Sequence, residues 1–387
     1  MMKKVKFAVI GAGNIGSFHI GYLNDGKVSG CELVAICDTN PAKLENIQKQ
    51  YGDKFKLYST DEEVFQDPNI DAVIVATPHY DHPVLAIAAM EAGKHVLIEK
   101  PAGVYTKKVR EMNEVANKHP ELTFGLVYNQ RMNPFYQKVR KLVQDGAIGE
   151  IRRTNWIITT WYRSQSYYNS GGWRATWKGE GGGVLLNQDP HQIDLWQWIC
   201  GMPSRVYSFV YFGKQRDIEV EDEVTAFVEY PNGATGVFVT SVSEVAGTNR
   251  LEIMGSQGKI VIENNTLQMW KAVIDEKEFN ATWDGGFGEP EVWKIDVPMD
   301  PFKDDGHMKV TQNFVNHILH DEELLAPGTD GINGLSISNA MHLSTWLREW
   351  VDLPIDEDKY YEELKKRIDS SKEKETADQV LDTSTTY

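Results

Sequence analysis

The sequence predicts an α/β protein in two parts: an N-terminal doubly wound parallel sheet, and a C-terminal α+β domain with an open, mostly antiparallel sheet. Three observations carry this prediction. Short apolar runs alternate with helical stretches through the first third of the chain. From about residue 205 onward, strand-like runs follow one another with turn signals at their joints. A chain of 387 residues, 41% hydrophobic and 25% charged, has enough apolar material for two cores.

Each element has its own signal. VKFAVI (5–10) reads as a buried strand, followed by Gly11-Ala12-Gly13-Asn14-Ile15-Gly16 and a helix to about Asn24. CELVAICD is a second strand ending at Asp38, and NPAKLENIQKQYG is a helix with Pro41 in its first turn. DAVIVATP, HVLIEKP and LTFGLVYN supply further strands, and HPVLAIAAMEAGK and KKVREMNEVANKH the helices between them. Short joints and strict alternation imply right-handed parallel crossovers over residues 1–126. Residues 134–145 then read as a helix, 150–161 as a strand, 163–180 as a loop, and 182–199 as a helix. RVYSFVYFG, DEVTAFVEYP, GATGVFVTSVS, NRLEIMGSQGKIVIEN and TLQMWKAV form the antiparallel series, with two late helices in MKVTQNFVNHIL and GLSISNAMHLSTWLREWV. The second domain is thus expected over 127–366, with a mobile tail over 367–387. An open antiparallel sheet needs its exposed face covered, so a homodimer or homotetramer through that sheet is expected.

A net charge of −16 argues against nucleic acid and anionic membranes as partners. Cys31, Cys37 and Cys200 form no paired motif, which fits a reducing, cytoplasmic setting; no metal spacing is seen among His, Asp and Glu. The apolar run after the N-terminal lysines stops at Gly11, too short for a secretion signal, and no stretch is long enough to span a membrane.

The glycine turn lies between a strand and a helix, the context that gives GxGxxG meaning. Gly11 permits the tight turn, Gly13 lets backbone approach a pyrophosphate, and Gly16 lets the helix pack closely; Asn14 and Ile15 open that helix. Asp38, 22 positions after Gly16, suits the adenosine ribose hydroxyls and would repel a 2′-phosphate, so NAD is the expected cofactor. A helix-capping role is the alternative for Asp38.

VIGAGNIG, TPHYDH, EAGKHVLIEKP and GGGVLLNQDPHQIDL occur in an order that resembles the Gfo/Idh/MocA oxidoreductases, the relatives of glucose–fructose oxidoreductase and inositol dehydrogenase. The resemblance covers about residues 5–350. It implies a Rossmann domain and a C-terminal domain whose open sheet mediates dimers or tetramers. It also implies NAD(P)-dependent oxidation or reduction at a hydroxyl of a sugar, cyclitol or related compound. The family's reacting lysine and histidine map onto Lys100 and His191. An alcohol oxidation needs a proton acceptor and a donor that steadies the developing alkoxide, roles that suit His191 and Lys100 respectively. At the same sheet edge Thr77, Pro78, His82, Glu99 and Lys100 are candidate cofactor contacts.

The chain departs from the family pattern where Asn187 replaces the usual aspartate and Asp189 a common glycine. On a single helix over 183–199, Asn187 and His191 share a face, and Asn187 holds a substrate hydroxyl. Alternatively Asp189, Pro190 and Gln192 form a helix start. Asp189, Asp194 and Glu180 stay unassigned between these readings. In WYRSQSYYNSGGWRATWKGEGGG, aromatic faces and donors suit a sugar ring, and Arg163, Tyr168, Trp173 and Arg174 are the candidate substrate contacts. Tyr128 is a further one, with Asn129 and Arg131 beside it. His79 follows a strand end near the expected nicotinamide, His307 is placed to reach the pocket, and His19 and His342 read as structural. The expected function is an NAD-dependent dehydrogenase acting on a ring hydroxyl of a sugar, glycoside or inositol. The alternatives are NAD-dependent glycoside cleavage with transient oxidation, and a non-catalytic NAD-binding regulator.

Overall fold

A computed structural model describes residues 4–299, 303–372 and 374. The first half contains β1 (Val5–Ile10), α1 (Asn14–Asn24), β2 (Cys31–Cys37), α2 (Pro41–Tyr51), β3 (Lys56–Tyr58), α3 (Asp61–Gln66) and β4 (Ala72–Val75). It continues with α4 (Asp81–Glu91), β5 (His95–Ile98), α5 (Thr106–Lys118) and β6 (Phe124–Leu126). The six strands are all parallel, in the order β3-β2-β1-β4-β5-β6. Chain direction across the sheet reverses between β1 and β4, which opens a crevice at their carboxyl ends, where such sheets bind ligands. Val5, Phe7 and Val9 pack on one side of the sheet, Ala8 and Ile10 on the other, so helices cover both faces. Local chemistry sets the helix starts: Pro41 opens α2, and the Asn40 side chain accepts the Ala42 N–H at 3.0 Å. The short edge strand β3 and the one-and-a-half-turn α3 were not expected from the sequence; neither is long enough to show a period.

The second half contains α6 (Pro134–Gln144), β7 (Ile151–Ile158), α7 (Gln165–Tyr168), α8 (Pro190–Cys200), β8 (Arg205–Phe212), β9 (Glu221–Glu229) and β10 (Thr235–Ser241). Then come β11 (Asn249–Gly255), β12 (Gly258–Glu263), β13 (Thr266–Ala272), α9 (Glu276–Thr282) and β14 (Val292–Asp296). The chain ends with α10 (Gly306–His320), α11 (Gly331–Leu347), β15 (Val351–Asp352) and α12 (Glu357–Ser370). The sheet order is β14-β13-β12-β11-β7-β10-β9-β8-β15, antiparallel except where β10 runs parallel to β7. Its inner face buries Trp156, Phe238 and, from α8, Trp196, whose ring stacks on Phe238 at 5.4 Å. Its outer face leaves Ile157, Phe209, Tyr211 and Phe227 exposed.

Three expectations need correction. A boundary at residue 126 separates the sheets but not the core. Helix α10 returns to the first half, where Phe314 lies 6.1 Å from Phe7 and Val310 and Val315 join the same apolar cluster. The helix expected over 182–199 begins at Pro190, because proline fits a first turn and breaks an interior. The tail expected from 367 is helical to Ser370: Asp356 caps Lys359 N–H at 2.9 Å, and Tyr360 and Leu364 are buried four residues apart. Ser371 then donates to Glu219 at 2.5 Å, and Lys374 Nζ donates to the Arg174 carbonyl at 3.0 Å. Residues 373 and 375–387 of the expected tail lie outside the described residues. No described helix is long and apolar enough to cross a membrane.

Candidate functional site

The glycine turn follows β1 directly. Gly11 has φ +96°, and a Cβ there would lie 2.5 Å from the Ala76 carbonyl oxygen. At Gly16 a Cβ would lie 1.8 Å from the Gly11 carbonyl oxygen, so α1 and the turn touch backbone to backbone. Around Gly13 there is open space, beside the N–H groups of Asn14, Ile15 and Gly16 that a helix start leaves without partners. Asp38, at the end of β2, accepts Ala12 N–H at 2.7 Å and Asn40 N–H at 2.8 Å, with Lys43 Nζ at 3.4 Å. Its carboxylate thus faces the glycine turn with one oxygen and organises the α2 start with the other. At the end of β4 the buried Thr77 hydroxyl has no hydrogen-bond partner among the described residues. An open space over Gly13, unclaimed helix N–H groups, a carboxylate at the β2 end and an orphaned hydroxyl fit a dinucleotide.

Lys100 follows β5 and reaches across to the second half, donating to the Asn187 carbonyl at 2.7 Å. Burial holds its ammonium below the usual pKa; Glu99 and Glu180 work against that, Arg163 and Arg174 with it. His191, in the first turn of α8, lies within electrostatic reach of Lys100. Burial, then Lys100 and His307, hold its pKa well below the usual value, so the ring is neutral; its Nδ1 has no partner among the described residues. Tyr128 packs its ring edge against His191 at 6.2 Å. Glu99 faces the other way. It accepts from His19 Nε2 at 2.7 Å, His19 Nδ1 meets the Tyr22 hydroxyl, and that hydroxyl meets Thr311 on α10 at 2.8 Å. Burial would raise the Glu99 pKa, but the His19 hydrogen bond and the nearby His19, His307 and Lys100 charges bring it down to about 2.

The loop before α8 forms the outer wall. Ser164 accepts the Tyr167 N–H at 3.3 Å and starts the one-turn α7. The Tyr167 hydroxyl then lies 3.4 Å from Asn187 Oδ1 and 3.3 Å from Gln188 Nε2, and accepts from Arg174 Nη1 at 3.0 Å. Glu180 accepts Ala175 N–H at 2.5 Å with one oxygen and the Asn187 amide with the other. Asp189 precedes α8 but caps nothing: its buried oxygens have no well-formed hydrogen bond among the described residues, though Trp161 and Thr240 stand near enough to interact. Burial pushes its pKa up to about 8, with Thr240 and Trp161 opposing.

The sequence-derived residues divide on this geometry. Lys100, Asn187, Arg163, Trp173 and Arg174 are joined in one network through Asn187 and Tyr167, and His191 lies within electrostatic reach of Lys100. Asn187 and His191 stand on a turn and a helix start rather than on one helix face. Tyr168 does not join them: it is buried, its hydroxyl meets no partner among the described residues, and its neighbour Tyr167 occupies the place expected of it. Tyr128 lies beneath His191, its phenol turned toward Asp194 and Arg131 and held neutral by burial. Arg131 closes no pocket. It is buried, with Nε and Nη2 on Asp194 at 2.8 and 2.6 Å and Nη1 on Asp330 at 2.7 Å. His82 braces the strand ends, its ring nitrogens 2.7 and 2.9 Å from the Pro101 and Thr77 carbonyls. His79 likewise meets the Glu180 carbonyl at 3.2 Å. His307 packs edge-on against His19, 6.1 Å away, and accepts from Asn129 Nδ2 at 3.2 Å. His342 is fully buried, 3.0 Å from Glu221 and stacked on Trp346. Pro78 is exposed beside the half-buried Thr77. Tyr167, Gln188 and Trp161 were not singled out in the sequence; only Ser164 as a helix cap would have distinguished Tyr167 from Tyr168.

Comparison with known proteins identifies the family of the chain. Residues 5–125 match the oxidoreductase family with an NAD-binding Rossmann fold, and residues 136–261 match the GFO/IDH/MocA C-terminal domain. The chain is 28% identical over 268 residues to myo-inositol 2-dehydrogenase of Thermotoga maritima, covering 67% of this chain and 75% of that protein. It is 26% identical over 358 residues to levoglucosan dehydrogenase of Pseudarthrobacter phenanthrenivorans, covering 82% and 89%. Its fold is similar to the WlbA dehydrogenase of Bordetella pertussis in complex with NADH and UDP-GlcNAcA. There the TM-score is 0.76 at 27% identity, covering 91% of this chain and 100% of that one.

Proposed function

Because the chain belongs to the GFO/IDH/MocA oxidoreductases, with an NAD-binding Rossmann domain, we propose that it is an NAD-dependent dehydrogenase of a sugar, glycoside or inositol. It oxidises a ring hydroxyl or reduces the matching ketone. The observation that carries this reading is that Lys100, just after β5 at the carboxyl edge of the parallel sheet, reaches Asn187 and lies within electrostatic range of His191. The similarity to an inositol and a levoglucosan dehydrogenase supports a ring hydroxyl as the reacting group.

Gly11 to Gly16, Asp38 and Thr77 would hold NAD, which when bound supplies the hydride acceptor. The remaining work falls to side chains. His191, neutral and with an unclaimed ring nitrogen, takes the hydroxyl proton. Lys100, anchored by the Asn187 carbonyl, donates to the same oxygen as negative charge builds on it. The Asn187 amide and the Tyr167 hydroxyl meet neighbouring substrate hydroxyls, and Trp173 offers a ring face.

NADH formation across inositols, monosaccharides and glucosides tests the reading. Lys100→Ala and His191→Ala should each lower kcat by about 100-fold to 10,000-fold while NADH binding persists. Turnover that survives both changes removes the assignment, and sugar release without net NADH points to redox-cycling cleavage instead.

The outer sheet face supports a homodimer or homotetramer. Phe227 pairs with Tyr207 on one side and Val237 on the other, so aromatic and aliphatic side chains run across three strands. A second copy of the same face is the cover that fits this row. Phe227→Glu should shift the protein to monomer in light scattering; an unchanged mass would place the interface elsewhere.

A further inference from the structure

The outer wall of the cleft holds more positive charge than it balances. The guanidinium carbons of Arg163 and Arg174 lie 5.3 and 4.7 Å from the centre of the Tyr167 ring, and Arg174 also stacks on Trp173 at 4.6 Å. Among the described residues neither arginine forms an ion pair. Arg174 Nη1 donates to the Tyr167 hydroxyl at 3.0 Å, Arg163 Nη1 to the Tyr162 carbonyl at 3.0 Å, and the buried Arg163 Nε has no partner. Arg216 stands behind, with Nε on the Arg163 carbonyl at 2.7 Å and its remaining bonds also to carbonyls.

Glu180 offsets part of this charge, acting on Arg174 and Lys100, but without a direct ion pair: its oxygens accept from Ala175 N–H and the Asn187 amide. Asp189 keeps its proton to about pH 8. Lys100 adds a further cation, linked to the arginines through Asn187 and Tyr167. All this stands in a chain whose net charge is −16. A guanidinium laid on an aromatic face keeps its N–H edge available, and that edge matches the paired oxygens of a carboxylate or phosphate.

We propose that the substrate carries an anionic oxygen group, a carboxylate or a phosphate ester, bound by Arg163 and Arg174, with its ring lying along Tyr167 toward Lys100 and His191. The inference rests on the dehydrogenase reading of the same cleft and narrows it from sugars in general to sugar acids or sugar phosphates.

Calorimetry on the NADH-loaded protein tests it with matched sets in the gluco, galacto and manno series: the neutral hexose, its uronate and its 6-phosphate. In at least one series an anionic member should bind at least about tenfold tighter than the neutral hexose. Uronate ahead assigns a carboxylate; 6-phosphate ahead assigns a phosphate. In Arg174→Gln the anion-to-neutral affinity ratio should fall at least about tenfold, and Arg174→Lys should recover part of it. Anions that bind no better than neutral hexoses in every series overturn the inference, as does a ratio unchanged in Arg174→Gln. NADH formation from neutral hexoses without any anion preference would leave the dehydrogenase standing. Failure to bind NADH would remove the dehydrogenase itself.

Discussion

Asp189→Asn keeps the size and the hydrogen-bonding reach of the side chain and removes its titration. In the native protein the carboxyl is fully buried beside Trp161 and Thr240 and keeps its proton to about pH 8, against an ordinary value of 3.8. Between those two values the folded state binds more protons than the unfolded chain. Each pH unit in that window therefore costs the fold about 1.4 kcal/mol relative to the unfolded state. The stabilisation is complete below pH 3.8 and is lost by about pH 8. From pH 5 to pH 7 the wild-type protein should lose about 2.7 kcal/mol relative to Asp189→Asn. Urea unfolding of the cofactor-free protein at several pH values between 5 and 8, followed by tryptophan fluorescence and circular dichroism, reads this difference. Parallel pH profiles for the two proteins would refute the reasoning. The native carboxylate would then be charged, and Arg163 would be its natural counter-ion.

Two further perturbations separate packing from binding. Gly13→Ala meets open space and should leave the melting temperature of the cofactor-free protein within about 2 °C while weakening NADH at least about tenfold; Gly16→Ala meets the Gly11 carbonyl and should lower the melting temperature as well. Equal melting temperatures for the two variants would count against the close turn–helix contact. Arg131→Met leaves Asp194 buried without its counter-charge and should cost about 3–5 kcal/mol in urea unfolding, and a loss below 1 kcal/mol would contradict the buried pairing.

The parallel sheet, apart from the short edge strand β3, was legible because its strands are largely buried and read as mainly apolar runs between helical stretches. The glycine turn and Asp38 were legible because backbone approach restricts those positions to few residue types. Lys100 and His191 were reached through a resemblance, and their proximity is a matter of tertiary packing that spacing alone does not encode. The helix start at Pro190 was visible as one of two readings, and proline's geometry decides between them. Tyr167 against Tyr168 was not legible, since adjacent tyrosines differ only in which way a single turn points. The Arg131–Asp194–Asp330 cluster was invisible for a similar reason: its members lie 63 and 199 positions from Arg131, and an arginine in sequence reads as exposed.

Arg131 joins the segment after β6 to α8 and to the residue before α11, and α10 lies against the back of the first sheet. Rocking the second half against the first would pull α10 from a shared core, where Phe314 packs on Phe7, while the Arg131 cluster ties the segment after β6 into the second half. The stretch 163–180 is irregular backbone apart from one helical turn, yet it is anchored at both ends of its run: Tyr168, Ala175, Trp177 and Glu180 are buried.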